Sequence, residues 1–197
     1  MALFYLVRHG TNDLLPKALA ARLPHVHLNE AGREEARRVA LVLERKGIQR
    51  LVSSPMERAR ETAEPLAQQL QLPVEISPDV NEIDFGGWSG KTMQELSLMK
   101  EWALFNSYRS GTRIPGGETM LEAQARVVHR LEKLGREQPN GTFAVFSHGD
   151  PIKAALAYFL GVPLDLFTRI EISTGSYSAL RLEDWGPQVL AVNVKPE

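Results

Sequence analysis

The sequence predicts an α/β fold of three layers: an open, mostly parallel sheet with helices over both faces, an α/β/α sandwich. Two observations carry that reading. Residues 3–7 form a continuous apolar run, as expected of a strand buried on both faces, and residues 48–52 and 142–146 read as further strands. Segments with helical spacing alternate with them, and strand–helix alternation favours parallel connections. The 197 residues show no internal repeat, low-complexity tract or linker, so one domain over residues 1–197 is expected.

Taken in order, residues 3–7 form the first strand and a long polar loop follows. Asn29 can cap a helix starting at Glu30, with Ala36, Val39, Ala40 and Leu43 on one face and Gly47 as its stop. Residues 48–52 make the second strand, ending at Ser53-Ser54. Pro55 suits the first turn of a helix to about Leu70, capped by Ser54, with Pro65 expected to kink or shorten it. Residues 74–83 read as extended with a break at Ser77-Pro78. From Phe85 to Pro115 the pattern is least legible, apart from a helix beginning at Thr92. Thr119 caps a long helix to about Gln138, and Asn140-Gly141 turns into the strand at 142–146. Asp150-Pro151 opens a further helix closed by Gly161, and residues 178–182 and 189–194 alternate as strands at a sheet edge.

Bulk properties exclude several function classes. With 23 basic and 24 acidic residues the net charge is −1, which gives no support to nucleic-acid binding. There is no cysteine, so disulfide frameworks, thiolate catalysis and cysteine-ligated metals are out. The apolar start is cut short by Arg8 and reads as a strand, not a leader or membrane span, which makes the cytoplasm the expected location. His25 and His27 alternate as a metal pair would, but no third ligand accompanies them, and no metal or cofactor is expected.

In open parallel sheets ligands bind beyond the carboxyl ends of the strands. Three strands deliver polar groups there: Arg8-His9-Gly10, Ser53-Ser54-Pro55 with Arg58 a turn later, and Ser147-His148-Gly149. Two histidines, two arginines and helix N-termini meeting in one crevice would form an anion site with a nucleophile. A carboxyl for proton transfer is offered by Glu82 or Asp84. Two residues apart on an extended segment, they would face the same way, so spacing does not choose between them.

Leu6-Val7-Arg8-His9-Gly10, Ser53-Ser54-Pro55-Met56-Glu57-Arg58-Ala59, Asn81-Glu82-Ile83-Asp84-Phe85-Gly86, Pro115-Gly116-Gly117-Glu118 and Ser147-His148-Gly149 together resemble the histidine phosphatase superfamily, which includes the phosphoglycerate mutases. The resemblance spans most of the chain in the family's order. It implies that His9 attacks phosphorus to form a phosphohistidine, that Arg8, Arg58 and His148 clamp the phosphoryl oxygens, and that Glu82 is the acid. Imidazole suits the role, being largely neutral and nucleophilic near pH 7, and guanidinium keeps its charge across ordinary pH. An acid of this kind must hold its proton in the ground state, so a raised pKa is expected for Glu82. The chain departs from the family where Thr11 follows Gly10 directly and Leu15 replaces an asparagine of many mutases, leaving Asn12 as the candidate phosphate ligand. Gly149 and Arg22 are further candidate substrate contacts, and Glu118 is either a helix N-terminal charge or another. Trp88, Trp102, Phe105 and Tyr108 are candidates for the pocket mouth or for the core.

The expected reaction is hydrolysis of a small phosphorylated metabolite. The alternative is a cofactor-dependent phosphoglycerate mutase, disfavoured because the stretch from Glu82 to Pro115 is short for a closing insertion. A non-catalytic phosphate sensor would lack the nucleophile or the acid, and neither is missing. No nucleic-acid or membrane partner is expected, and an apolar edge strand near the C-terminus allows a homodimer.

Overall fold

The computed structural model describes all residues, 1–197. One six-stranded sheet runs in the order β3-β2-β4-β1-β5-β6, formed by β1 (Ala2–Arg8), β2 (Arg50–Ser53), β3 (Val74–Ile76), β4 (Thr142–Ser147), β5 (Tyr177–Glu183) and β6 (Gly186–Val194). The first four are mutually parallel, and β5 and β6 close one side as an antiparallel hairpin. The central strands are apolar on both faces because each side meets a different core. Phe4 and Leu6 of β1 join the larger core, whereas Tyr5 and Val7 join the smaller one.

The smaller core lies under α1 (Glu30–Leu43) and α2 (Glu57–Leu70); α5 (Met120–Glu137) and α6 (Gly149–Leu160) cover the other face. Asn29 caps α1 through Gly32 N–H, and Thr119 opens α5 with a reciprocal capping box to Glu122. No helix is long and apolar enough to cross a membrane.

Three expectations about elements change. Ser54 does not cap α2, which starts two residues later with Met56 at the cap; the Ser54 hydroxyl faces His148 instead. Pro65 does not end α2, because Ala59, Ala63 and Leu66 bury one face across the missing hydrogen bond and the helix runs to Leu70. Residues 74–83 are extended only at β3 before a 3-10 turn over Pro78–Val80. In the poorly legible stretch, Thr92 caps α3 (Met93–Ser97) and is followed by α4 (Lys100–Ser107). Trp88, Trp102 and Phe105 interlock there with ring centroids 5.3–6.0 Å apart, which places them in the core and not at a pocket mouth; Tyr108 is exposed.

Candidate active site

Strand register brings the three polar strand ends together. Arg8 on β1 pairs with Ser147 on β4, so His9 and His148 follow side by side, their rings 5.1 Å apart. Ser53 on β2 pairs with Phe146, which sets Ser54 beside them. The loop after β1 lies flush on α1: a Cβ on Gly10 would come within 2.4 Å of the Gly32 carbonyl oxygen. Only glycine permits that approach, and it holds His9 and Asn12 at the cavity floor. Thr62 fixes the loop from α2, its hydroxyl accepting from Gly10 N–H at 3.0 Å.

His9 is buried, and its Nδ1 lies 2.8 Å from the Gly10 carbonyl oxygen. A carbonyl only accepts, so Nδ1 carries the proton and Nε2 keeps its lone pair. Burial, then Arg58 and Arg8, hold this imidazole well below the usual histidine range, so it is neutral. The lone pair accepts from Arg58 Nε–H at 3.2 Å.

The second imidazole has the opposite arrangement. His148 Nδ1 accepts from Arg58 at 3.1 Å, while Nε2 sits 2.7 Å from the Ser54 hydroxyl, which donates onward to Asn81 Oδ1 at 3.0 Å. That chain places the His148 proton on Nε2. Burial and Arg58 hold His148 well below its ordinary value as well.

Arg58 is fully buried and also donates to the Ala21 carbonyl at 2.7 Å, yet its NH1 has no partner. Arg8 donates to the Ile172 carbonyl, and its Nε has none. Asn12 is buried, with Oδ1 accepting from Leu14 N–H and Nδ2 unpartnered. All three side chains line one cavity of about 320 Å³. Buried donors without acceptors are uncommon in folded proteins, and the three around this nucleophile have the arrangement of an oxyanion cradle. Gly149 completes it at the N-terminus of α6, where a Cβ would stand 3.3 Å from the Arg8 guanidinium.

Glu82 and Asp84 part company because their segment is irregular, so strand alternation does not apply. Glu82 lines the cavity, with Oε1 accepting from Ile83 N–H at 2.8 Å and Oε2 3.7 Å from His148 Nδ1. Burial, reinforced by the nearby Asp150 carboxylate, pushes its carboxyl up to about 7. Asp84 turns away to Arg22 at 3.3 Å and Gly86 N–H at 3.0 Å.

Arg22 is engaged with the scaffold in this structure. It does not line the cavity, and it donates to the Glu82 carbonyl at 2.8 Å, to Asp84 and to Glu118. Glu118 likewise accepts from Arg22, Arg126 and Asp84 N–H and contacts nothing in the cavity. Asp150 and Lys153, on the first turns of α6, line the cavity and were missed. Their position directly after Ser147-His148-Gly149 was the signal, but an acidic residue in a first turn reads as a helix-end charge. His27 pairs with Glu61, and no cluster of three histidine or carboxylate side chains is arranged to hold a metal.

A larger cavity of about 620 Å³ lies elsewhere, bounded by Met1, Arg136, Tyr158 and Pro187, and contains no histidine. Volume does not identify the site; two buried imidazoles with unpartnered donors around them do.

Comparison with known proteins shows the family and the fold. The family described as the histidine phosphatase superfamily (branch 1) matches residues 4–195. Phosphoserine phosphatase 1 of Hydrogenobacter thermophilus is 29% identical over 196 residues, 98% of this chain and 93% of its own length. The adenosylcobalamin/alpha-ribazole phosphatase of Escherichia coli is 25% identical, covering 89% of this chain and 88% of that one. A phosphoserine phosphatase mutant from Entamoeba histolytica, solved in complex with phosphoserine, shares the fold with a TM-score of 0.88 at 23% identity, over 99% of this chain and 98% of that chain.

Proposed function

The chain belongs to the histidine phosphatase superfamily, and from that premise we propose how its residues divide the work of a phosphomonoester hydrolase. His9 is the nucleophile. Its Nε2 lone pair forms the bond to phosphorus as the bond to the ester oxygen breaks, and Glu82 gives its proton to the departing alkoxide. In the second half Glu82 takes a proton from water, the water oxygen attacks phosphorus, and the P–N bond breaks to release inorganic phosphate. The observation that carries this reading is a neutral imidazole, its tautomer fixed by the Gly10 carbonyl, facing donors on Arg8, Arg58 and Asn12 that the protein leaves unpaired.

Arg58 has two tasks. Before substrate binds, it occupies the lone pairs of both imidazoles. An arriving phosphate dianion offers stronger acceptors, and re-aiming the guanidinium onto it frees Nε2 for attack. The acid is positioned from behind, because Arg22 and Arg126 both donate to the Glu82 carbonyl, at 2.8 and 3.0 Å. The substrate is a small phosphorylated metabolite, in keeping with a cavity of about 320 Å³ at the low end for small-molecule sites. A cytoplasmic setting and a dimer formed through β6 belong to the same proposal; the outer edge of β6 is unpaired, with Leu190 and Val192 exposed.

The test is phosphate release from para-nitrophenyl phosphate with chelator present, together with acid-quenched trapping of labelled enzyme. Label on His9 and a loss of at least about 10⁴-fold in kcat for His9→Ala are expected. Label on another side chain, or turnover that survives the substitution, overturns the assignment. Supplying 3-phosphoglycerate with its bisphosphate should release phosphate faster than it yields the isomer; the reverse would establish the mutase.

A further inference from the structure

The peptide between Gly10 and Thr11 has a task at each end. Its carbonyl oxygen is the acceptor 2.8 Å from His9 Nδ1, the contact that fixes the nucleophile's tautomer. Its N–H donates to Glu35 Oε2, also at 2.8 Å. A peptide group is planar, so the two ends turn together. Glu35, on α1, therefore holds the same unit that holds His9. A continuous row runs from its carboxylate through Thr11 N–H and the Gly10 carbonyl to the imidazole Nδ1–H.

The carboxylate is built into this place. Its side chain is 14% exposed and does not line the cavity. The Thr11 hydroxyl reaches both its oxygens, at 3.0 and 3.1 Å, and the Thr174 hydroxyl reaches one at 3.2 Å. Gly175 follows with φ at +62°, where a Cβ would come within 2.5 Å of the Glu35 Cβ, so residues 173–176 lie directly on its stem. Those residues also brace the strand end, since Gly175 N–H donates to the His9 carbonyl and the Ser176 carbonyl accepts from Arg8 N–H. The cation facing Glu35 is Lys195, whose Nζ stays 3.9 Å away on a side chain 57% exposed. Taking a carboxylate out of water costs free energy that an apolar side chain would not incur, so packing does not account for it.

We infer that Glu35 is a positioning residue that acts on the nucleophile through the Gly10–Thr11 peptide. The inference rests on the phosphatase reading above and deepens it. As Nε2 bonds to phosphorus, the imidazole becomes cationic and keeps its Nδ1 proton, so its hydrogen bond to the Gly10 carbonyl strengthens. A negative charge on the far N–H polarises the peptide to meet that demand and keeps the ring in line. No proton passes to Glu35.

Glu35→Ala should lower kcat for para-nitrophenyl phosphate by about 100-fold with KM within about threefold of wild type, the scale of a misaligned nucleophile. Glu35→Gln keeps an acceptor for Thr11 N–H but not the charge, so it should recover most of that loss and stay about fivefold below wild type. It also keeps the test decisive if Glu35→Ala fails to fold. The readout that packing would leave alone is the His9 Nδ1 proton in NMR spectra of histidine-labelled free enzyme. That resonance should move upfield as the hydrogen bond to Gly10 weakens, most in Glu35→Ala and less in Glu35→Gln. Three results overturn the inference: Glu35→Ala with kcat within about threefold of wild type, Glu35→Gln equal to wild type, or a fall in kcat with the resonance unmoved. A wild-type protein that releases no phosphate sinks the phosphatase reading instead, and the resonance still decides whether Glu35 governs His9.

Discussion

The two charged clusters flanking Glu82 use arginine differently. In the platform behind it, Glu118 accepts from Arg22 at 3.1 Å, from Arg126 at 2.7 and 3.0 Å, and from Asp84 N–H at 2.8 Å. Arg126 also donates to the Asp79 and Asn81 carbonyls. In the floor ahead of it, Arg8, Arg58 and Asn12 each keep a buried nitrogen with no partner, and Arg58 donates to two imidazoles and a carbonyl with no carboxylate in hydrogen-bond contact. The first arrangement is closed and serves the fold. The second is open, and its charges are completed by an anion the protein does not supply.

If that contrast holds, matched substitutions should separate activity from stability. Arg58→Met should lower kcat/KM by about 10³-fold, the scale of a lost transition-state donor, while changing stability by no more than about 1 kcal/mol. A denaturant titration beside the kinetics decides it. A large loss of stability would make Arg58 a structural residue and break the comparison.

Glu118→Ala should do the reverse. It takes from Arg126 its carboxylate partner and from the Asp84 amide its acceptor, while Arg22 keeps Asp84, for a loss of about 3 kcal/mol, or roughly 10 °C in thermal midpoint. Activity measured well below that midpoint should fall less than about tenfold, because Arg22 and Arg126 still hold the Glu82 carbonyl. Loss of catalysis comparable to Arg58→Met would mean the platform shapes the reacting groups directly.

The same contrast explains what could be read from the sequence. The central strands were legible because burial on both faces leaves a continuous apolar run, and β1 and β4 match it closely. His9, Arg58 and His148 were legible as polar groups at strand ends. The weaker assignments failed where one residue type serves two purposes. Ser54 fits a helix cap as well as an imidazole partner, and a first-turn acid such as Asp150 fits a helix N-terminus as well as a cavity wall. Arg22 sits in the loop that supplies the site, but only three-dimensional contacts reveal that its donors are taken by Glu82, Asp84 and Glu118. The choice of Glu82 over Asp84 depended on local irregularity, which alternation rules do not foresee. The helices at α3 and α4 are short and held by the Trp88, Trp102 and Phe105 rings, a tertiary cause with little local pattern.

Glu82 stands between the two clusters and is the most direct probe of their difference. Its carboxyl is pushed up to about 7, against the ordinary range near 4.5. Between those limits the folded protein keeps a proton that the unfolded chain has released, so this group's contribution falls as pH rises from about 4.5 to 7 and is level outside that window. The loss amounts to about 3 kcal/mol if the unfolded chain has the ordinary value. Glu82→Gln cannot ionise, so its stability relative to wild type should climb by about that amount across the window, a comparison in which the other titrating groups largely cancel. The same substitution should slow alkyl phosphates, whose leaving oxygen needs a proton, far more than para-nitrophenyl phosphate, whose leaving group does not. A flat stability difference would place the Glu82 pKa near that of a solvated carboxylate. Equal slowing of both esters would move the acid to another group.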